Sequence, residues 1–204
     1  MSIVKLNNRG VRSATTFGSI SCLGEIRFIK KVTASSDDTI SFVNGTSDVV
    51  LDSTYKEYLF TFNTIHAESN SGFSFNFRDG STDYDATKTT THFYSYHNEA
   101  GSSNGVQYTT SYDLAQSTGF QVIGDNLTTD ADHNLSGYLH LFNPSSTTFV
   151  KHYISTFQEA NEGDYSMNVF TAGYFNTTSA IDEIQFKFAS GNIDAGDICL
   201  YGIK

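Results

Sequence analysis

From Glu25 onward the chain is a succession of short segments in which apolar and polar residues alternate, each closed by Gly, Asn, Asp or Ser. This is the pattern of β-strands joined by turns. The clearest segment is Tyr55–Ile65, where Tyr58, Phe60 and Phe62 share one face and Leu59, Thr61 and Asn63 the other, since successive strand side chains point to opposite sides. Phe73, Phe75 and Phe77 alternate with Ser74, Asn76 and Arg78 as in a half-buried strand, and Ile184, Phe186 and Phe188 alternate with Glu183, Gln185 and Lys187 within Ile181–Ala189. Further strands are predicted at Glu25–Val32, Thr39–Val43, Thr91–Tyr96, Phe120–Ile123, Ser136–Phe142, Thr148–Phe157, Tyr165–Tyr174 and Asp197–Ile203. Asn44-Gly45, Asn143-Pro144-Ser145 and Gly191–Gly196 are read as turns. Asp79–Lys88, Glu99–Gly105 and Gly124–Asn134 are read as polar loops. Ser111–Ser117 alone is predicted as a helical turn, because Tyr112, Leu114 and Ala115 are poorly spaced for a strand.

Roughly ten to twelve strands with so little helical periodicity specify two packed antiparallel sheets, an all-β jelly roll or β-sandwich. No repeat of fixed period is present, which argues against a propeller or solenoid. At 204 residues one undivided domain is expected. Residues 1–20 have scattered apolar positions without strand or helix spacing and are read as an extended N-terminal arm, with the sandwich domain over 21–204.

Composition agrees with this reading: 17 Phe and 12 Tyr suit pleated surfaces, and a single Pro interrupts few ladders. No apolar run approaches the roughly 20 residues of a membrane-spanning helix, and the start lacks a secretory signal pattern, so neither membrane insertion nor export is expected. Cys22 and Cys199 are too few for a disulfide framework and are read as reduced, unless the first and last strands prove to be neighbours. The net charge of −10 is unevenly spread. Residues 1–31 carry six basic side chains against Glu25 alone, a balance of +5, which leaves −15 on the remainder. An acidic body repels a phosphate backbone, so nucleic acid is not an expected partner.

Catalytic signatures are missing from the sequence. None of the six histidines forms H-E-x-x-H, and neither a G-x-S-x-G elbow nor a phosphate loop occurs. No enzyme activity and no cofactor is therefore expected. Asp79, Asp83 and Asp85 form an oxygen-rich run, but it lacks EF-hand spacing and a closing Glu and is only a weak calcium candidate. Asp125, Asp130 and Asp132 form a weaker one. Tyrosines near loops and strand ends can stack on sugar rings while short polar neighbours bond the hydroxyls, which makes Tyr84, Tyr94, Tyr96, Tyr108 and Tyr112 the candidate glycan contacts.

Four segments together resemble a family of small virion proteins of marine bacteriophages, especially those of cyanobacteria: MSIVKLNNRGVRSATTFGSI at Met1–Ile20, LDSTYKEYLFTFNTIH at Leu51–His66, LSGYLHLFNPSSTTFVK at Leu135–Lys151 and SGNIDAGDICLYGI at Ser190–Ile203. Residues 67–134 depart from the pattern. The resemblance implies a structural component of the particle, assembled in the host bacterial cytoplasm. Its partners would be other virion proteins, with homo-oligomers, commonly trimers, following the symmetry of the attachment site. A tail, baseplate or fibre-associated jelly roll that contacts host-surface glycan is the leading expectation. A capsid decoration protein is the second, and a free carbohydrate-binding protein the third. The basic arm, with Lys5, Arg9, Arg12 and Phe17, is expected to dock in extended form on an acidic neighbour.

Overall fold

The computed structural model of the chain describes residues 26–204. Within them every regular element is a strand, and no helix is long and apolar enough to cross a membrane. The twelve strands are β1 (Ile26–Thr33), β2 (Ile40–Val43), β3 (Glu57–Ala67), β4 (Ser71–Arg78), β5 (Lys88–Asn98), β6 (Asn104–Tyr108), β7 (Gln121–Leu127), β8 (Asn134–Phe142), β9 (Lys151–Asn161), β10 (Tyr165–Phe175), β11 (Glu183–Phe188) and β12 (Ile193–Ile203). They form an eight-stranded sheet, β1-β12-β3-β8-β9-β10-β5-β6, and a four-stranded sheet, β2-β11-β4-β7. All pairings are antiparallel.

The pairs β1·β12, β2·β11, β3·β8 and β4·β7 are the rungs of one long antiparallel ribbon, rolled so that β12 meets β3 and β11 meets β4. That winding is a jelly roll. Two hairpins are added to it: β5–β6 between β4 and β7, and β9–β10 between β8 and β11. Both join the same sheet beyond β8, widening it to eight strands while the facing sheet keeps four.

Between the sheets lies an aromatic core. Phe186 on β11 is at its centre, with ring centroids 5.7 Å from Phe60, 5.0 Å from Phe62 and 6.1 Å from Phe73. Tyr58, Phe60 and Phe62 of β3 all point into this core, as their alternation predicts. Most rings meet edge to face, the arrangement their quadrupoles favour.

The structure departs from the sequence expectations at several places. Ser111–Ser117 is not helical: His92 and Leu114 accept from the Thr109 and Thr90 amides, and Lys88 and Ser117 exchange two bonds, so this segment is a strap along the free edge of β5. The Leu114, Gln116 and Ser117 N–H groups donate to β5, and the one local bond, from Tyr112 N–H to the Thr109 carbonyl, is a single turn. The polar run Glu99–Gly105 ends in β6, an edge strand none of whose residues is buried. β4 is buried on both faces, because the Asn76 amide donates to the carbonyls of Tyr84 (2.6 Å) and Thr118 (2.9 Å) and so pins two loops over it. β7 continues to Leu127, and β12 starts at Ile193 through a bulge at Gly196 rather than after it. A Cβ at Gly196, where φ is +122°, would stand 2.6 Å from the Thr64 carbonyl oxygen.

The arm over residues 1–20, with Lys5, Arg9, Arg12 and Phe17, lies outside the described residues, and so does Cys22. Cys199 is a half-buried free cysteine on β12, where the register places it opposite Lys31 of β1.

Candidate functional site

Widening one sheet without the other leaves the inner faces of β9, β10 and β5 partly uncovered beyond β7, the edge of the small sheet. A pocket of about 440 Å3 occupies this overhang, a volume in the range of small-molecule sites. Its floor consists of inward positions: His92, Tyr94 and Tyr96 from β5, Met167 and Val169 from β10, and Glu159 and Asn161 from β9. Asp125 and Asn126 at the end of β7 form one wall, and Thr109 with Ser111 and Tyr112 at the start of the strap form another.

The close approach of β7 to β9 depends on Gly124. A Cβ there would lie 2.4 Å from Leu135 Cδ2 and 3.0 Å from Glu159 Oε2. With no side chain in the way, the Asp125 N–H donates to Glu159 Oε2 at 3.1 Å, while the Asn161 amide donates to Glu159 Oε1 at 3.4 Å. Glu159 is 1 % exposed, and burial pushes its carboxyl up to about 8. It is therefore largely protonated at neutral pH. Burial, reinforced by the Asp125 carboxylate, also raises the Tyr112 hydroxyl well above its ordinary value. His92 is shifted the other way, because burial disfavours its cation.

Aromatic rings run through the pocket in a chain. His92 is 5.2 Å from Tyr112 and 6.3 Å from Tyr94, Tyr94 is 5.8 Å from Tyr96, and Tyr96 is 5.8 Å from Tyr165. Beside these rings lie buried polar atoms without a hydrogen-bond partner: both His92 ring nitrogens, Thr109 Oγ1 and Asn161 Oδ1. Buried polar groups are nearly always paired, so a concentration of unpaired ones in a single pocket points to a polar ligand. The lining includes Asp125, Glu159 and Glu162 but no lysine or arginine.

Of the five tyrosines predicted as glycan contacts, Tyr94, Tyr96 and Tyr112 converge here. Tyr108 does not: it is exposed on β6, paired with Phe93. Tyr84 lies in the β4–β5 loop, where its hydroxyl donates to Glu183 at 2.8 Å. In that loop Asp79 and Asp85 stand opposite two buried lysines. Lys88 is pushed down to about 8 by burial against the pull of Asp85, and Lys151 is lowered by burial against Asp79. Asp79, Asp83 and Asp85 do not converge on a common point. Among the described residues the one set of three potential metal-ligating side chains whose ligand atoms cluster is Asp132, His133 and Asp164.

No family model, curated protein or solved structure matches this chain.

Sequence reasoning missed His92, Glu159, Asn161 and Tyr165. A signal for Glu159 and Asn161 is nevertheless present in β9, where the inward series Tyr153, Ser155, Phe157 continues in register to both residues. Two successive inward polar residues after Phe157 lie where the facing sheet ends.

Proposed function

We propose that this chain is a glycan-binding jelly roll of a bacteriophage virion, with the overhang pocket as its sugar site. The observation that carries the glycan reading is the run of four tyrosines and His92 beside unpartnered buried polar atoms. Rings offer flat apolar faces to the C–H side of a sugar, and the polar atoms meet its hydroxyls. The Asp125 and Glu162 carboxylates, with no lysine or arginine in the lining, disfavour phosphate, sulfate or carboxylate groups, so the ligand class is a neutral or amino sugar. Binding without turnover is the favoured mode. Both Glu159 oxygens already accept protein hydrogen bonds, so this acid braces β7 and β9 instead of facing a leaving group.

The virion assignment is supported by the sequence likeness at residues 1–20, 51–66, 135–151 and 190–203. A sugar pocket fits a tail, baseplate or fibre appendage better than a capsid decoration protein, which has no need of one. In this reading the basic residues 1–20 attach the chain to an acidic neighbour on the particle, and copies associate with the symmetry of that attachment.

A glycan array probed with the purified protein tests the sugar site. Binding to neutral or amino glycans that Tyr96→Ala weakens about tenfold or more is expected, on the scale of a lost stacking contact and its ordered neighbours. Binding confined to anionic glycans, or reducing sugar released at an enzymatic rate, would contradict it. Deleting residues 1–20 should yield a folded protein missing from purified particles, and normal incorporation would overturn the docking role.

A further inference from the structure

On the far side of Tyr165 from the sugar pocket, two turns meet. The β7–β8 connection ends in Asp132 and His133, and the β9–β10 turn contains Asp164. One imidazole nitrogen and two carboxylate oxygens, one from each residue, all lie within 4.8 Å of one another. The two acids are exposed, but His133 is not: its side chain is 7 % exposed, although it lies on a turn.

His133 is held in one orientation. Its Nδ1 lies 2.6 Å from Thr128 Oγ1, and that same hydroxyl accepts the Asp130 N–H at 3.2 Å. The ring therefore aims Nε2 between the two carboxylates, 4.0 Å from Asp132 Oδ1 and 3.9 Å from Asp164 Oδ1. Both separations exceed a hydrogen bond, and Nε2 has no hydrogen-bond partner among the described residues. A buried imidazole fixed at Nδ1 with an unpaired Nε2 is how metal-binding histidines are held by their outer-shell partners. Asp130 Oδ2, 3.9 Å from Nδ1, adds a third negative charge nearby.

We propose that Asp132, His133 and Asp164 bind a divalent first-row transition-metal cation. With metal–ligand bonds of about 2.0–2.2 Å, neighbouring ligand atoms lie about 3.4 Å apart at a tetrahedral angle and further at wider angles. The observed 3.9 and 4.0 Å close to that range by small rotations of two exposed carboxylates. A mixed imidazole–carboxylate set suits zinc, cobalt or manganese, whereas calcium and magnesium take oxygen ligands throughout. Two carboxylates balance the dication, and three protein ligands leave room for water. The cation would tie the β9–β10 turn, which contains the pocket residue Glu162 and leads into Tyr165 of β10, to the β7–β8 connection. Metal binding itself stands apart from the glycan reading and is measured without any sugar.

The test is calorimetric titration of the chelator-stripped full chain with Zn2+, paired with Co2+ titration followed by visible absorption. One saturable equivalent is expected, with a Co2+ spectrum showing nitrogen ligation. Asp132→Asn and Asp164→Asn should each weaken Zn2+ binding about tenfold or more. Both side chains are exposed, so these variants fold and decide the matter even if His133→Gln does not. Millimolar Ca2+ should leave the Zn2+ isotherm unchanged. Absence of saturable Zn2+ binding, or wild-type affinity in both Asp variants, would overturn the proposal.

Discussion

Glu159 illustrates how a single side chain sets both the site and its pH response. It is held protonated by burial, with a folded-state value near 8 against 4.5 for an exposed carboxyl. Between these values the folded chain keeps a proton that the unfolded chain has released, so stability falls as pH rises through that window. His92 acts in the opposite sense, being kept neutral in the fold, and costs stability as pH drops below its ordinary 6.5. Glu159→Gln isolates the first effect because His92 is common to both proteins. Between pH 5 and pH 9 the wild type should lose, relative to the variant, on the order of a few kcal/mol, since each pH unit of displacement is worth about 1.4 kcal/mol. Urea unfolding at the two pH values measures this, and parallel pH dependence would show that Glu159 is ionised throughout. At this scale the sequence was only partly informative. Tyr94, Tyr96 and Tyr112 could be picked out as tyrosines beside short polar residues and do line one pocket, but the same criterion picks out Tyr84 and Tyr108, which do not, whereas Glu159 and His133 look like ordinary solvated residues until strands distant in sequence enclose them.

The inserted hairpins and the strap build the pocket, and one threonine joins three of the parts. Thr90 on β5 donates through its hydroxyl to Gln121 Oε1 of β7 at 2.6 Å and accepts the Leu114 N–H of the strap at 2.9 Å. Thr90→Val keeps the shape and removes both bonds, leaving buried partners unpaired. A loss of about 1–3 kcal/mol is expected from the shift in urea midpoint, and a change near zero would mean that the strap is not held through this residue. Strand positions were legible wherever one face packs on the core, as at β3, β10 and β11, because alternation is imposed by that burial. β6 was not, since an exposed edge strand has no buried face to impose it. The strap was misread as a helical turn for a related reason: its hydrogen bonds go to β5, a neighbour that local spacing does not reveal.

Over the whole molecule, the jelly-roll winding and the mismatch between eight strands and four make both a core and a cleft. The core depends on Phe186, which packs against Phe60 and Phe62 of the facing sheet and Phe73 of its own. Phe186→Ala should lower stability by about 3–5 kcal/mol, a large part of the total for a single domain, as read from thermal or urea unfolding. Two sheets were predictable from the count and spacing of strands. Their unequal width was not, because nothing local records that both hairpins join the same sheet. The cleft that results is the central claim, and amide chemical-shift mapping with a neutral or amino sugar tests it most directly. Saturable shifts are predicted at 92–96, 109–112, 125–126 and 159–167. Shifts confined to the opposite face of the large sheet, around Phe93, Tyr138 and Ile154, would contradict it, as would no saturable shift for any sugar of that class.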